Sequence, residues 1–235
     1  MASGALYFLE CADMGRYLCC AVVLCLPLSA CAPSAERLPA ASVRQSRDAV
    51  TEEKLSLLDE VLATNNDSDV RPDTAFKMLA PATKAAFRAK YAALPQEKRQ
   101  ARATIVYILA ANTSSDEDWD FLDGVVSEPP CLGVTDCSKP GSGGGASPAA
   151  AALDLPALNA VALAARILLG AGHISPDAGE EDIARLAAFS MAKPGERPAT
   201  AAEISRSIGV LKAASLSRSQ RVAGKASWLL HVLGS

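Results

Sequence analysis

The densest group of side chains able to bind a cation is acidic. Asp116, Glu117, Asp118, Asp120 and Asp123 fall within a few positions of one another. A calcium loop would need alternating oxygen ligands, a glycine at its turn and a closing glutamate, and that register is absent. At the start of a helix the same acids complement the positive end of the dipole and face water, and Glu180, Glu181 and Asp182 read the same way. Ser190-Met191-Ala192-Lys193 matches S-x-x-K, a spacing that sets a lysine one helical turn from a serine it can activate. Neither an S-D-N nor a K-T-G partner accompanies it. The two histidines, His173 and His231, lie too far apart for a zinc-protease pair and read as surface or core-edge residues. No G-x-S-x-G is present, and the glycines from Gly141 to Gly145 lack the lysine of a phosphate loop. The chain therefore offers no catalytic residues, no metal ligands and no cofactor site.

Cysteine carries the clearer signal. Of seven cysteines, Cys11, Cys19, Cys20 and Cys25 lie in or before an apolar run, YLCCAVVLCLPL, from Tyr17 to Leu28. That run has the length of a signal peptide and is short of the ~20 residues that span a bilayer. Leu28-Ser29-Ala30-Cys31 follows it at once and closely resembles the lipobox of bacterial lipoproteins. The resemblance implies that the leader is cut before Cys31, that the Cys31 sulfur is diacylated, and that two or three acyl chains then anchor the protein stably. Ala32, where aspartate would hold such a protein back, implies the outer membrane if the host is Gram-negative. In an exported chain the remaining cysteines, Cys131 and Cys137, stand in a Pro- and Gly-flanked loop in an oxidising compartment and are expected to pair. Closing so small a loop contributes about 2.4 kcal/mol in the chain-entropy model, enough to pin a loop but not to create a fold. A zinc site would need two more ligands at short spacing.

The elements that must carry these residues read as helices throughout. Residues 31–50 mix Pro, Ser, Ala and charge and read as a flexible tether. An amino-terminal helical half spans 51–128. Thr51 stands at its first helix start, Leu55, Leu58, Val61 and Leu62 share one face, and Phe76, Met78 and Leu79 form an apolar patch. Pro95 reads as a first-turn proline, Asn112 as a helix end, and Ser115 as the cap of a helix bearing Trp119, Leu122, Val125 and Val126. Residues 129–152 form the disulfide loop and a Gly/Ser/Pro/Ala-rich linker. The second half, 153–235, opens on a helix apolar around most of its circumference, interrupted by Asn159 and Arg166. It closes with a helix that Ser217 caps and that carries Trp228. No segment shows strand alternation, so the fold class is all-α. The strings RATIVYILAAN, ALAARILLGAG and AGKASWLLHVLG recur at similar intervals, each an aliphatic cluster before an Asn or Gly stop. This arrangement resembles HEAT-like helical repeats, so the expected architecture is a compact helical bundle or a short HEAT-like array.

A formal charge of −3, with 23 basic and 26 acidic side chains and no concentrated basic stripe, argues against nucleic acid as a partner. The expected protein is a membrane-anchored envelope lipoprotein, not an enzyme, whose helical domain binds or scaffolds an envelope protein, as an assembly factor would. The rival readings are an envelope hydrolase, with Ser190, Lys193 or the Asp116 cluster in a site assembled by folding, and a structural spacer at the membrane. Glu10 and Asp13 conflict with the positive start that a signal peptide needs, whereas Met14 opens MGRYLCC with Arg16 in place. Translation is expected to begin at Met14. Amino-terminal sequencing of a cleavage-blocked precursor checks this, and a chain beginning at Met1 or Ala2 would contradict it.

Overall fold

The computed structural model describes residues 40–64, 66, 69–132, 136–137 and 152–235. The leader, Met14, Cys31 and the first part of the expected tether lie outside them, as does most of the glycine-rich linker. Among the described residues there are nine α-helices and no strand, so the fold is all-α. They are α1 Ala40–Thr64, α2 Arg71–Thr74, α3 Pro81–Ala93, α4 Arg99–Ala111, α5 Asp116–Ser127, α6 Leu155–Gly170, α7 Glu180–Ser190, α8 Ala201–Ser215 and α9 Gln220–Leu233.

Several of these helices begin where local chemistry favours a start. Pro81 fills the first turn of α3, where its missing N–H costs nothing. Three acids open α5 and three open α7, against the positive end of each dipole. Thr200 caps α8, its hydroxyl accepting from the Glu203 amide at 3.1 Å while the Glu203 carboxylate accepts from the Thr200 amide at 2.8 Å. Other expected boundaries move. Residues 40–50 are helix, not tether: six of the eleven are Ala, Arg or Gln, which favour helix, and no Gly or Pro interrupts them. Thr51 is therefore inside α1, where its hydroxyl pairs with that of Thr83 at 3.1 Å. Pro95 sits in a turn closed by the Lys98 amide on its carbonyl, and α4 starts only at Arg99. Ser219, not Ser217, caps α9.

One apolar core joins both sides of the 129–152 connection. Leu58, Phe87, Ile105, Leu168, Leu211 and Leu229 are all fully buried within it. Helix α6 runs through the middle and packs against α4, α5, α7, α8 and α9. Ala160, Ala164 and Ala165 are fully buried, and such small side chains let neighbouring helices approach closely. The three recurring aliphatic strings become α4, α6 and α9. Trp119 is buried with them. No described helix is long and apolar enough to cross a membrane.

The acidic cluster does not face water as a unit. Asp118 is only 3% exposed and forms ion pairs with Lys84, equally buried, and with Arg88 at 2.7 Å. Its carboxylate also accepts from the Ser114 and Ser115 amides at 3.0 and 3.1 Å. Lys84 donates further to the Asn112 carbonyl and the Ser114 hydroxyl. Asn112 ends α4 as expected but does more: its amide nitrogen donates to the carbonyls of Phe76 and Ile108 and its oxygen accepts from the Leu79 amide, all at 2.8 Å. Asp116 and Asp120 remain exposed, at 2.6 and 3.4 Å from Arg206 on α8. Asp123 has a buried oxygen without a hydrogen bond, and burial pushes its carboxyl up.

Burial works to raise the Asp118 carboxyl, yet the hydrogen bonds from Lys84, Ser114 and Ser115 hold it below the ordinary carboxylate value. A carboxylate depressed by folding stabilises the fold fully above its unfolded value, near 3.8, and that contribution is lost as pH falls through the lower folded value. Asp118→Asn is expected to cost about 3 kcal/mol or more at neutral pH, because buried Lys84 loses its carboxylate partner. Urea denaturation checks it. The gap between wild type and variant should narrow as the pH is taken well below 3.8.

Candidate functional site

The residues that the sequence marked for chemistry are not assembled into a catalytic arrangement. Ser190 is buried and its hydroxyl donates to the Leu186 carbonyl at 2.9 Å, so it is occupied by its own helix. Lys193 lies beyond the end of α7 and is exposed; what holds it there is its amide, which donates to Glu196 at 2.9 Å. His173 meets Ser235 at 3.2 Å, and His231 is exposed on α9. Among the described residues no group of three His, Cys, Asp or Glu is placed to hold a metal ion.

Cys131 and Cys137 are joined as a disulfide, with Cα atoms 4.2 Å apart. The Leu132 amide donates to the Cys137 carbonyl at 3.0 Å, and the Cys137 amide donates to the Glu97 carboxylate at 3.2 Å. Arg99 points a guanidinium nitrogen at the Cys131 sulfur, 3.6 Å away. These contacts fasten the loop to the start of α4.

The candidate site is a groove centred on Tyr107. Three adjoining clefts, of about 470, 470 and 260 Å³, all include this residue. Volumes of that order suit a peptide segment or a small molecule. Helix α4 supplies Tyr107 and Ala111, and α6 supplies Asn159, Leu163 and Arg166. The Tyr107 hydroxyl donates to the Asp73 carboxylate on α2, which ties the ring to that helix. Burial, together with that bond and the Asp73 charge, raises the phenol above its ordinary value, so it stays a neutral donor. Asn159 donates to the Ala103 carbonyl at 2.9 Å and holds α6 against α4. Arg166 is exposed, borders two of the clefts and forms no ion pair or hydrogen bond among the described residues.

Two methionines edge the groove. Met78 borders one cleft and is 94% exposed; Met191 borders the other two and is 74% exposed. The expectation that Met78 packs with Phe76 and Leu79 is therefore corrected. Phe76 is buried and Leu79 is half-buried, but Met78 turns outward because its φ is +55°. Met191 has φ +54°, and these are the only non-glycine described residues in the left-handed region. That conformation costs an L-residue roughly 1–2 kcal/mol. Each methionine thus combines strain with exposed apolar surface, a pairing that folding alone does not favour.

The motifs noted in the sequence missed this groove. Met191 counted only as a spacer inside S-x-x-K, and Tyr107 as part of an apolar run. One signal was available: Asn159, Leu163 and Arg166 fall at i, i+4 and i+7, which puts both polar interruptions of α6 on one face. Comparison with protein families, curated proteins and solved structures finds no match for this chain.

If the methionines are kept for something other than stability, glycine in their place should not weaken the fold. Met78→Gly and Met191→Gly are each expected to leave the thermal midpoint unchanged or to stabilise by up to about 1 kcal/mol, relieved strain outweighing the added freedom of the unfolded chain. Calorimetry on the two variants checks this, and a loss above about 1 kcal/mol in either would show a packing role.

Proposed function

We propose that this chain is an envelope lipoprotein, anchored through acyl chains on Cys31, whose helical domain binds or scaffolds a protein partner in the Tyr107 groove. The observation that carries the reading is the pair of exposed, left-handed methionines lining the clefts of that groove. Apolar side chains held out against backbone preference suit a partner that covers them. Arg166 adds a charge with no internal counterpart, so the partner segment presents apolar side chains to the methionines and an acid to Arg166. The leader ending in Leu28-Ser29-Ala30-Cys31 supports the anchored address. The recurrence of aliphatic strings in α4, α6 and α9 supports a repeat-like scaffold of the kind that stacks helices to present a binding face. Ser190, occupied by its own helix, lends no support to the hydrolase alternative.

Two measurements in the native host test this. The intact mass of the membrane-extracted protein should correspond to a chain starting at Cys31 plus acyl chains, and Cys31→Ser should lose them; an unacylated mass removes the anchor. A photoreactive amino acid at position 191 should give a discrete protein adduct that the same residue at exposed Gln220 does not give. Arg166→Glu should reduce that adduct about tenfold or more, through like-charge repulsion of the partner's acid. Equal adducts from both positions, or none from 191, would remove the groove from the proposal.

A further inference from the structure

Sulfur is distributed unevenly along and within the chain. From residue 32 onward the sequence holds four sulfur-bearing side chains, Met78, Cys131, Cys137 and Met191. Cys131 and Cys137 are buried and joined as a disulfide, so they are already oxidised and sheltered. The apolar core of the described residues is built from Leu, Ile, Val, Ala, Phe, Tyr and Trp and contains no methionine. Both methionines instead stand exposed on the clefts that meet at Tyr107.

The backbone takes part in holding them there. Met191 follows α7 in the left-handed conformation that glycine or asparagine usually takes at a helix end, and Met78 adopts it between α2 and α3. A thioether so exposed is open to two-electron oxidants. The indole rings that compete for the stronger oxidants are less open. Trp119 is buried, and Trp228 is half-buried with its ring nitrogen donating to Asp182 at 3.2 Å.

We infer that Met78 and Met191 form a paired oxidation site, at which a peroxide or a hypohalous acid converts both thioethers to sulfoxides and turns the lining of the Tyr107 groove from apolar to polar. With hydrogen peroxide the sulfur lone pair takes one oxygen and the O–O bond breaks. The sulfur gives up two electrons, the proton on the transferred oxygen passes to the departing one, and water leaves. With hypochlorous acid the O–Cl bond breaks instead, releasing chloride and a proton. A dithiol reverses the change, carrying the oxygen away as water and becoming a disulfide, when a sulfoxide reductase catalyses the exchange. A sulfoxide must lose its hydration when an apolar partner covers it, at a cost equivalent to about tenfold in affinity for each. The core contains no methionine to be altered, so the fold survives. The effect on docking rests on the groove reading above; the place of oxidation does not.

The test treats the chain extracted from host membranes with hydrogen peroxide and follows oxygen uptake in each peptide by mass spectrometry. Met78 and Met191 should each gain one oxygen at a rate within about threefold of a free methionyl peptide, ahead of every other residue beyond Cys31. The thermal midpoint should not change. In the host, a photoreactive amino acid at exposed Lys77, which lines one cleft with Met78, should give a protein adduct that falls about tenfold or more after peroxide. Met78→Leu with Met191→Leu, apolar but unable to take oxygen, should keep that adduct. If the double variant melts early, each single variant replaces it and should lose less adduct than wild type. Methionines that lag more than about tenfold behind the free peptide, or a midpoint that falls on oxidation, would overturn the inference. So would an adduct that persists once both sulfoxides have formed, or equal loss from the leucine variant, which would place the oxidised residue on the partner. Absence of an adduct before any peroxide would remove the groove reading alone, with the oxidation site still decided by the mass measurement.

Discussion

Asp118 is the point on which the first half of the molecule depends. A carboxylate removed from water is costly unless nearly every lone pair is met, and here it is met by two cations and two backbone amides. Those donors come from α3 and from the turn between α4 and α5. None of them can shift without leaving a charge exposed to apolar surroundings. Asn112 sits one step away and ties in the segment between α2 and α3 by the same logic, with its amide group satisfied at both ends. The position of α5 is thereby fixed, and α5 is part of the surface on which α6 and α8 lie.

The second half adds apolar bulk to this polar frame. Helix α6 contributes few polar groups, and the ones it has stand at its margin. Asn159 meets a backbone carbonyl of α4, whereas Arg166 reaches water. Connections between the halves at the surface are ionic and exposed, as between Arg206 and the two aspartates of α5. Exposed pairs of this kind steer register more than they stabilise. The union of the halves therefore rests on burial, and its strength comes from side chains such as Ile105, Leu168 and Leu211.

The fold class was legible because its signals are local. Apolar residues at three- and four-residue spacing located the core faces of α1 and α5, and the stop at Asn112 followed from composition alone. Thr51 misled because a polar residue before two glutamates resembles a helix start even in mid-helix, where Thr83 provides its partner. The acidic cluster misled for a related reason. Three acids in the first turn, Asp118 among them, all satisfy the dipole rule, and nothing in the string says that Lys84, more than thirty residues earlier, reaches Asp118. The groove was hidden in the same way, since Met78 comes to share a cleft with Arg166 only after folding.

The methionines also bear on how selective the groove can be. A thioether on an unbranched chain has many rotamers of similar energy and adapts to differently shaped neighbours. A recess bordered by two of them adjusts to its occupant instead of rejecting poor fits, so shape discriminates weakly there. Any discrimination would fall instead to directional groups, the guanidinium of Arg166 at its border and the ring of Tyr107 held by Asp73. If a partner binds there, as proposed, such a surface would tolerate change in its apolar side chains while demanding constancy in its charge. A partner free to drift in sequence, apart from one acid, is the evolutionary signature that this division of labour would leave.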